Sequence, residues 1–278
     1  MKLTVLLDNN TLIDHYFLGE PGVSYFIEAD GKKVLFDVGY SDAFVRNAQK
    51  MQIDLLDIDL IILSHGHLDH TWGMMPLIQH YTEGMIEKRA VKRPRLVAHP
   101  GVLDRREHQD APEIGAVLHA DVLGRFFDLQ WSRGVVRLTD NLFFLGTIER
   151  SNDFEAQKPL GVVIQDGQEV DDFLLDDTAL VYKSPQGLVI ITGCSHSGIC
   201  NIVEYARKVC GDGRVVDIMG GFHLLEPSAQ QLQGTIDYLA NVKPEIVHAC
   251  HCTDLKSKIE LAGSLPLKEV GVGLVLTY

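Results

Sequence analysis

The chain has no run of about 18 apolar residues, the length a membrane-spanning helix needs, so a helical membrane protein is excluded. It is also short of positive charge. Its 25 Lys and Arg stand against 38 Asp and Glu, a formal net charge of −13. A surface this acidic repels a phosphate backbone, which excludes nucleic acid as a general partner. Cysteines are few and odd in number: Cys194, Cys200, Cys210, Cys250 and Cys252 all fall in the last third. Such a set is no disulfide framework. No linker rich in Pro, Gly or Ser interrupts the 278 residues. The apolar start, Leu3–Leu7, stops at Asp8-Asn9, too short for the core of a leader peptide. One cytoplasmic domain spanning residues 1–278 is therefore expected.

Apolar runs alternating with helical patterns are what the chain does have, and they predict a layered α/β fold. The run Leu60–Leu63 is continuous, as in a strand covered on both faces, and it delivers Ser64-His65. Four more runs behave alike. Arg95–Ala98 ends at His99, Leu188–Ile191 at Gly193-Cys194-Ser195-His196, Val215–Met219 at His223, and Ile246–Cys250 at His251. Ligands of open α/β sheets bind beyond the carboxyl ends of the strands. If these strands share an edge, their histidines converge.

The pattern also repeats. Tyr25–Glu28, a turn, Val34–Asp37, a helix from Asp42 and the strand ending in His65 form one unit. Leu180–Tyr182, a turn, Leu188–Ile191, a helix from Ile199 and the strand ending in His223 form the other. Ile199, Ile202, Val203, Ala206 and Val209 mark one face of that second helix. Two such halves face to face make a sandwich with a site along one edge. Residues 111–151 break the pattern and are expected to be an insertion over that edge.

The chemistry lies in Ser64-His65-Gly66-His67-Leu68-Asp69-His70, a His-x-His-x-Asp-His cluster at a strand end. Imidazole and carboxylate are the ligands that zinc-like divalent ions prefer, and this spacing packs four of them into one turn. As core residues they would each demand a hydrogen-bond partner. One or two divalent ions are expected, Zn²⁺ first, with Mn²⁺, Fe²⁺ or Mg²⁺ also compatible.

This cluster after a buried strand resembles the signature of the metallo-β-lactamase superfamily, whose αβ/βα sandwich matches the two-halved pattern. Asp8-Asn9-Asn10-Thr11, Leu35–Gly39, Leu63–His70, Thr192–Gly198, Gly220–Leu224 and His251-Cys252-Thr253 carry the likeness along nearly the whole chain. Together they resemble a subfamily typified by a dihydropterin-aminobenzene ribosyl phosphate synthase of methanopterin biosynthesis. The resemblance implies a four-layer fold. It also implies that His65 and His67 bind one metal, that Asp69 and His70 bind a second, and that His251 is the last histidine ligand. The usual Gly-Asp reads here as Gly193-Cys194, so the bridging aspartate is missing. His196 is the candidate for the remaining imidazole, and Cys194 either ligates in the aspartate's place or packs. His67, where redox-active di-iron relatives carry Glu, favours hydrolytic chemistry.

Around this centre, His99, Cys194, Ser195, His223 and Thr253 are candidate substrate contacts, and Asp37 a partner that hydrogen-bonds a metal-ligating histidine. His248 faces the core or such a partner. Lys88-Arg89, Lys92-Arg93-Arg95 and Arg105-Arg106 either lie solvated or attract a small anionic substrate. The favoured function is a hydrolase that uses a metal-activated water on a small phosphorylated or ester substrate, with Asp69 and His70 catalytic. The resemblance also implies an alternative, a transferase condensing an aminobenzene ribosyl phosphate with a pterin diphosphate. It predicts an aromatic slot from Phe126, Phe127, Trp131 or Phe154. A metal-stabilised binding module without activity is the third reading.

Overall fold

The computed structural model describes residues 1–109, 111–165 and 167–278. Along the chain its strands are β1 (Lys2–Leu7), β2 (Ser24–Ala29), β3 (Lys32–Phe36), β4 (Leu60–Ile62), β5 (Arg95–Ala98), β6 (Arg105–Glu107), β7 (Asp128–Trp131) and β8 (Val136–Arg137). They continue as β9 (Leu142–Phe144), β10 (Val162–Gln165), β11 (Gln168–Asp171), β12 (Ala179–Lys183), β13 (Leu188–Thr192), β14 (Val215–Gly221), β15 (Ile246–Cys250) and β16 (Val275–Thr277). The helices are α1 (Ala43–Lys50), α2 (Leu68–Thr71), α3 (Met74–Ile86), α4 (Ala120–Leu123), α5 (Ile199–Cys210), α6 (Ala229–Val242) and α7 (Leu255–Ala262).

Two large sheets stack face to face, ordered β16-β1-β2-β3-β4-β5-β7 and β15-β14-β13-β12-β9-β8. Alternation along each strand explains why. On β3, Val34 and Phe36 point between the sheets while Leu35 points out. On β13, Val189 and Ile191 point between them while Leu188 and Ile190 point out. With apolar residues on both faces, each strand needs cover on both sides. Phe44 and Val45 of α1 with Leu77, Ile78 and Tyr81 of α3 cover the first sheet's outer face. Ile202, Val203 and Ala206 of α5, Ile236 and Leu239 of α6 and Leu261 of α7 cover the second. The result is the expected four-layer αβ/βα sandwich. Among the described residues, no helix is long and apolar enough to cross a membrane.

The internal repeat is real in topology. In each half an antiparallel hairpin (β2–β3, β12–β13) is followed by a helix and a parallel partner (β4, β14). Because β1 and β3 both pair antiparallel with β2, they run the same way as β4 and β5. Their carboxyl ends share one edge, and β13, β14 and β15 run parallel to one another in the facing sheet.

Residues 111–151 differ from expectation. Their second part supplies sheet edges, as β7 pairs in parallel with β5 and β8 and β9 extend the second sheet beyond β12, while Ile114 O in their first part accepts from Leu68 N beside His67. These edge strands are two to four residues long, too short to show a period. The true excursion is a small separate sheet, ordered β11-β10-β6.

Candidate metal centre

Sharp turns at the strand ends aim the site residues. Asp37 follows β3 at φ 57°, Ser195 follows β13 at φ 63°, His223 follows β14 at φ 50° and His251 follows β15 at φ 50°. Left-handed backbone at a non-glycine residue costs about 1–3 kcal/mol and clusters at functional sites. Four of them at one edge mark it as built for something other than stability.

Three imidazoles form a near-equilateral triangle there. Ring centroids of His65, His67 and His196 are 4.7 Å apart in every pairing. All three rings are buried, and each leaves its Nε2 without a hydrogen-bond partner. Buried polar atoms are rarely orphaned, and three of them on rings packed this closely point to a cation. Burial holds His65 and His196 well below the usual histidine range, and His67 down to about 3. All three are therefore neutral, the form that ligates.

A second cluster adjoins the first. Ligand atoms of Asp69, His70, Cys194 and His251 all lie within 4.8 Å of one another. His70 Nε2 is 3.1 Å from Cys194 Sγ and 3.3 Å from His251 Nε2, and Asp69 Oδ2 is 3.4 Å from His251 Nε2. Cys194 also falls within 4.8 Å of the donors of His65 and His196, so its sulfur stands between the clusters. Burial pushes this thiol up, a tendency that a bound cation reverses. Burial would likewise raise the Asp69 carboxyl, but His70 and His251 outweigh it and hold the group below the carboxylate range.

Outer partners fix the ring tautomers. His70 Nδ1 donates to Asp37 Oδ2 at 2.7 Å, and His65 Nδ1 to Ser64 Oγ at 2.9 Å, which donates on to Asp37 Oδ2 at 2.6 Å. His251 Nδ1 donates to Asn9 Oδ1 at 2.8 Å, and its backbone N–H to Asp8 Oδ1 at 3.0 Å. A proton held on Nδ1 leaves Nε2 free as a donor atom to metal. Against the lowering effect of burial, Asp69 and Asp37 raise His70 to about 9, so the proton on its Nε2 is one that a bound cation must displace.

The family model for the metallo-beta-lactamase superfamily matches residues 18–251. The chain belongs to the metallo-β-lactamase superfamily. A curated relative, the 7,8-dihydropterin-6-methyl-4-(beta-D-ribofuranosyl)-aminobenzene-5'-phosphate synthase of Methanocaldococcus jannaschii, is 29% identical over 93% of this chain and 89% of its own. A solved structure of a metal-dependent hydrolase of the beta-lactamase superfamily superposes with TM-score 0.83 at 27% identity, covering 100% of this chain and 99% of that one. A diphosphatase from the PhnP family shares the fold, with TM-score 0.51 at 17% identity over 100% and 97% of the chains. Membership places the chain among metal-dependent enzymes of this fold, hydrolases and at least one synthase.

Like the two ligand clusters, most of the other expected residues find a place at this edge of the metallo-β-lactamase sandwich. Ser195, His196 and His223 line a cavity of about 400 Å³ beside the triangle. The His223 ring lies 4.3 Å from that of His196 and has an unpartnered Nδ1. Two residues stand elsewhere. His99 turns its Nδ1 back to accept from Gly101 N at 3.0 Å, and lines a separate cavity of about 280 Å³. Thr253 is buried and its hydroxyl accepts from Phe222 N at 3.1 Å, which secures the loop carrying His223. So four of the five strand-end histidines converge, and the fifth does not. His248 donates its Nδ1 proton to Asp217 at 2.7 Å, away from the centre.

The aromatic and basic expectations need correcting. Phe126, Phe127 and Trp131 pack into the helix-covered core of the first sheet, and only Phe154 reaches the site cavity, joined there by Phe173. Lys92 pairs with Asp57 and Asp59, Arg93 with Asp128, and Arg106 is buried between Asp172 and Asp176. None of them lines the site cavity; Lys158 does. Ser64, Asp8 and Asn9 were missed as partners of the ligand histidines. The signal for Asp8-Asn9 was present, since they end β1 just as the histidines end their strands.

Proposed function

We propose that the protein is a metal-dependent hydrolase, served by zinc, whose substrate is a small anionic phosphorylated compound or ester. The carrying observation is the triangle of buried, neutral imidazoles with three unpartnered Nε2 atoms. In this reading His65, His67 and His196 would hold one ion and Asp69, His70 and His251 a second, with Cys194, whose sulfur lies near donors of both clusters, as a further ligand in place of the missing aspartate. Imidazole and thiolate suit zinc better than magnesium or manganese. Divalent ions held there supply Lewis acidity and a water whose pKa drops to about 7.

The protein's own groups do the rest. Asp69, ionised and only partly buried, would accept a hydrogen bond from the attacking water and so orient it. His223, at the cavity's inner wall, donates a hydrogen bond to the anion that develops. Lys158, exposed on the cavity rim, meets the substrate's charge before and during reaction alike. Lys158→Ala is thus expected to raise KM about fivefold with kcat unchanged, the mark of uniform binding, in steady-state assays. Five free cysteines agree with a reducing cytoplasmic setting.

A second reading has its own support. Phe154 and Phe173 flank the cavity, and the synthase relative spans nearly the whole chain, which favours a transferase taking a flat aromatic co-substrate. The zinc-loaded protein should be tested on phosphomonoesters, phosphodiesters, diphosphates and carboxylic esters. Turnover that a chelator abolishes and zinc restores is expected. Pyrophosphate release from an aminobenzene ribosyl phosphate and a pterin diphosphate, without hydrolysis of any ester, gives the transferase instead. No turnover with either set, together with unfolding on chelation, leaves a binding module.

A further inference from the structure

A buried charge network sits behind the metal centre. Arg106, Asp172 and Asp176 are each no more than 3% exposed. Arg106 donates Nε to Asp172 Oδ2 at 2.9 Å and Nη2 to Asp176 Oδ1 at 2.7 Å. It also donates to the carbonyls of Gly101 and Asp104 at 3.1 and 3.2 Å. Replacing a buried ion pair by apolar residues is often neutral or stabilising, so this one calls for a reason beyond stability.

The second oxygen of Asp176 gives that reason. It accepts from the backbone N–H of Gly66, at 2.8 Å, between His65 and His67. Gly66 has room for nothing else. A Cβ there would lie 2.1 Å from Arg106 Nη1 and 2.4 Å from the Val102 carbonyl. Two residues on, Thr178 N donates to Ser64 O at 3.0 Å. Between them, Asp177 Oδ2 accepts from Ser197 N at 2.8 Å, next to His196. Residues 176–178 therefore grip the backbone beside all three imidazoles of the triangle, in both halves of the sandwich.

We propose that Asp176, braced by Arg106, is a positioning residue for the metal centre: it holds the His65-Gly66-His67 turn in the ligating geometry and so sets metal affinity. The proposal rests on the metal-binding reading above. Asp176 is no member of either ligand cluster, and Arg106 offers no acceptor atom to a metal. Both act through Gly66. Outer partners of ligands commonly carry a tenfold to hundredfold share of metal affinity.

Asp176→Asn is the test, because both Asp176 oxygens accept from donors. An amide satisfies either Gly66 N or Arg106 and turns its NH₂ on the other. Asp172→Asn is the matched control. It removes the same charge from the same network, and Asp172 too accepts at both oxygens, from Arg106 and from Leu174 N. It contacts no part of the metal turn. Zinc affinity is read by competition with a chelator, and ligand geometry by the visible spectrum of the cobalt-loaded protein. Asp176→Asn is expected to weaken zinc about tenfold and alter the cobalt spectrum. Asp172→Asn should stay within about twofold, with an unchanged spectrum, whatever both do to the melting temperature. Equal losses in the two variants, or an unchanged Asp176→Asn, overturn the proposal. If Asp176→Asn does not fold, Arg106→Lys replaces it, keeping the charge without the fork; unaltered affinity and spectrum there overturn the proposal equally. A wild-type protein that takes up neither zinc nor cobalt sinks the metal reading itself instead.

Discussion

His196→Ala is expected to lower the zinc content from about two ions per chain to about one, and turnover at least about a hundredfold. The loss follows from what His196 contributes. It is the only imidazole of the triangle that comes from the second half of the sandwich, carried on the turn after β13. Its removal leaves His65 and His67, neighbours on one short turn, without a donor on the opposite side. Cys194, shared with the other cluster, cannot restore four-coordination at both positions. Elemental analysis by plasma mass spectrometry, on wild type and variant prepared alike, reads the count directly. An unchanged content would falsify the assignment and hand the role to His223, whose ring lies 4.3 Å away and whose Nδ1 has no partner. The variant is not expected to fold worse before metal is added, since a buried, neutral, unpartnered imidazole contributes little that alanine forfeits.

How much of this was legible in the sequence depended on how strongly each residue's surroundings constrain it. The central strands β4, β13, β14 and β15 are covered on both faces, so they are written as apolar runs, broken only by the mutually paired Asp217 and His248, and their ends are marked by Ser64-His65, Cys194–His196, His223 and His251. The repeat was legible for the same reason, because each half needs the same hairpin, helix and parallel strand to build its share of the edge. The short edge strands were not legible. Gln168–Asp171 is exposed on both sides and Val136–Arg137 is two residues long with only Val136 half-buried, so nothing in their composition distinguishes them from loop. Three aromatic residues of the 111–151 stretch looked available for a ligand only because β7 was not foreseen; once it pairs with β5, they belong to the core. Arg106 illustrates a different limit. In sequence it is one of a pair of adjacent arginines, and only the fold reveals that Arg105 is exposed while Arg106 is sealed between two aspartates distant along the chain.

Asp37→Asn is the second large effect, and its mechanism is a change of tautomer. Asp37 lies at a left-handed turn and is fully buried, with three donors converging on it. Oδ1 takes the Ser64 N–H at 2.7 Å, and Oδ2 takes both Ser64 Oγ at 2.6 Å and His70 Nδ1 at 2.7 Å. An asparagine fits the space and can still accept from Ser64 N. Its NH₂ then faces His70, whose Nδ1 must become the acceptor and whose proton must move to Nε2. That atom is the one directed at Cys194 and His251, 3.1 and 3.3 Å away. A protonated Nε2 cannot ligate, so the second ion is lost. The other NH₂ hydrogen meets Ser64 Oγ, which still accepts from His65 Nδ1 through its second lone pair, so His65 keeps its tautomer and the first ion, held by His65, His67 and His196, stays. Asp37→Ala acts otherwise. It leaves three donors buried without an acceptor, at a cost of about 3–5 kcal/mol, or roughly 6–20 °C in melting temperature. The two variants thus separate the roles of one carboxylate: asparagine should keep the fold and lose one zinc, alanine should lose stability whether or not zinc is present. A full complement of zinc in Asp37→Asn would mean that the Asp37–His70 contact serves folding alone, and that the second ion does not depend on His70.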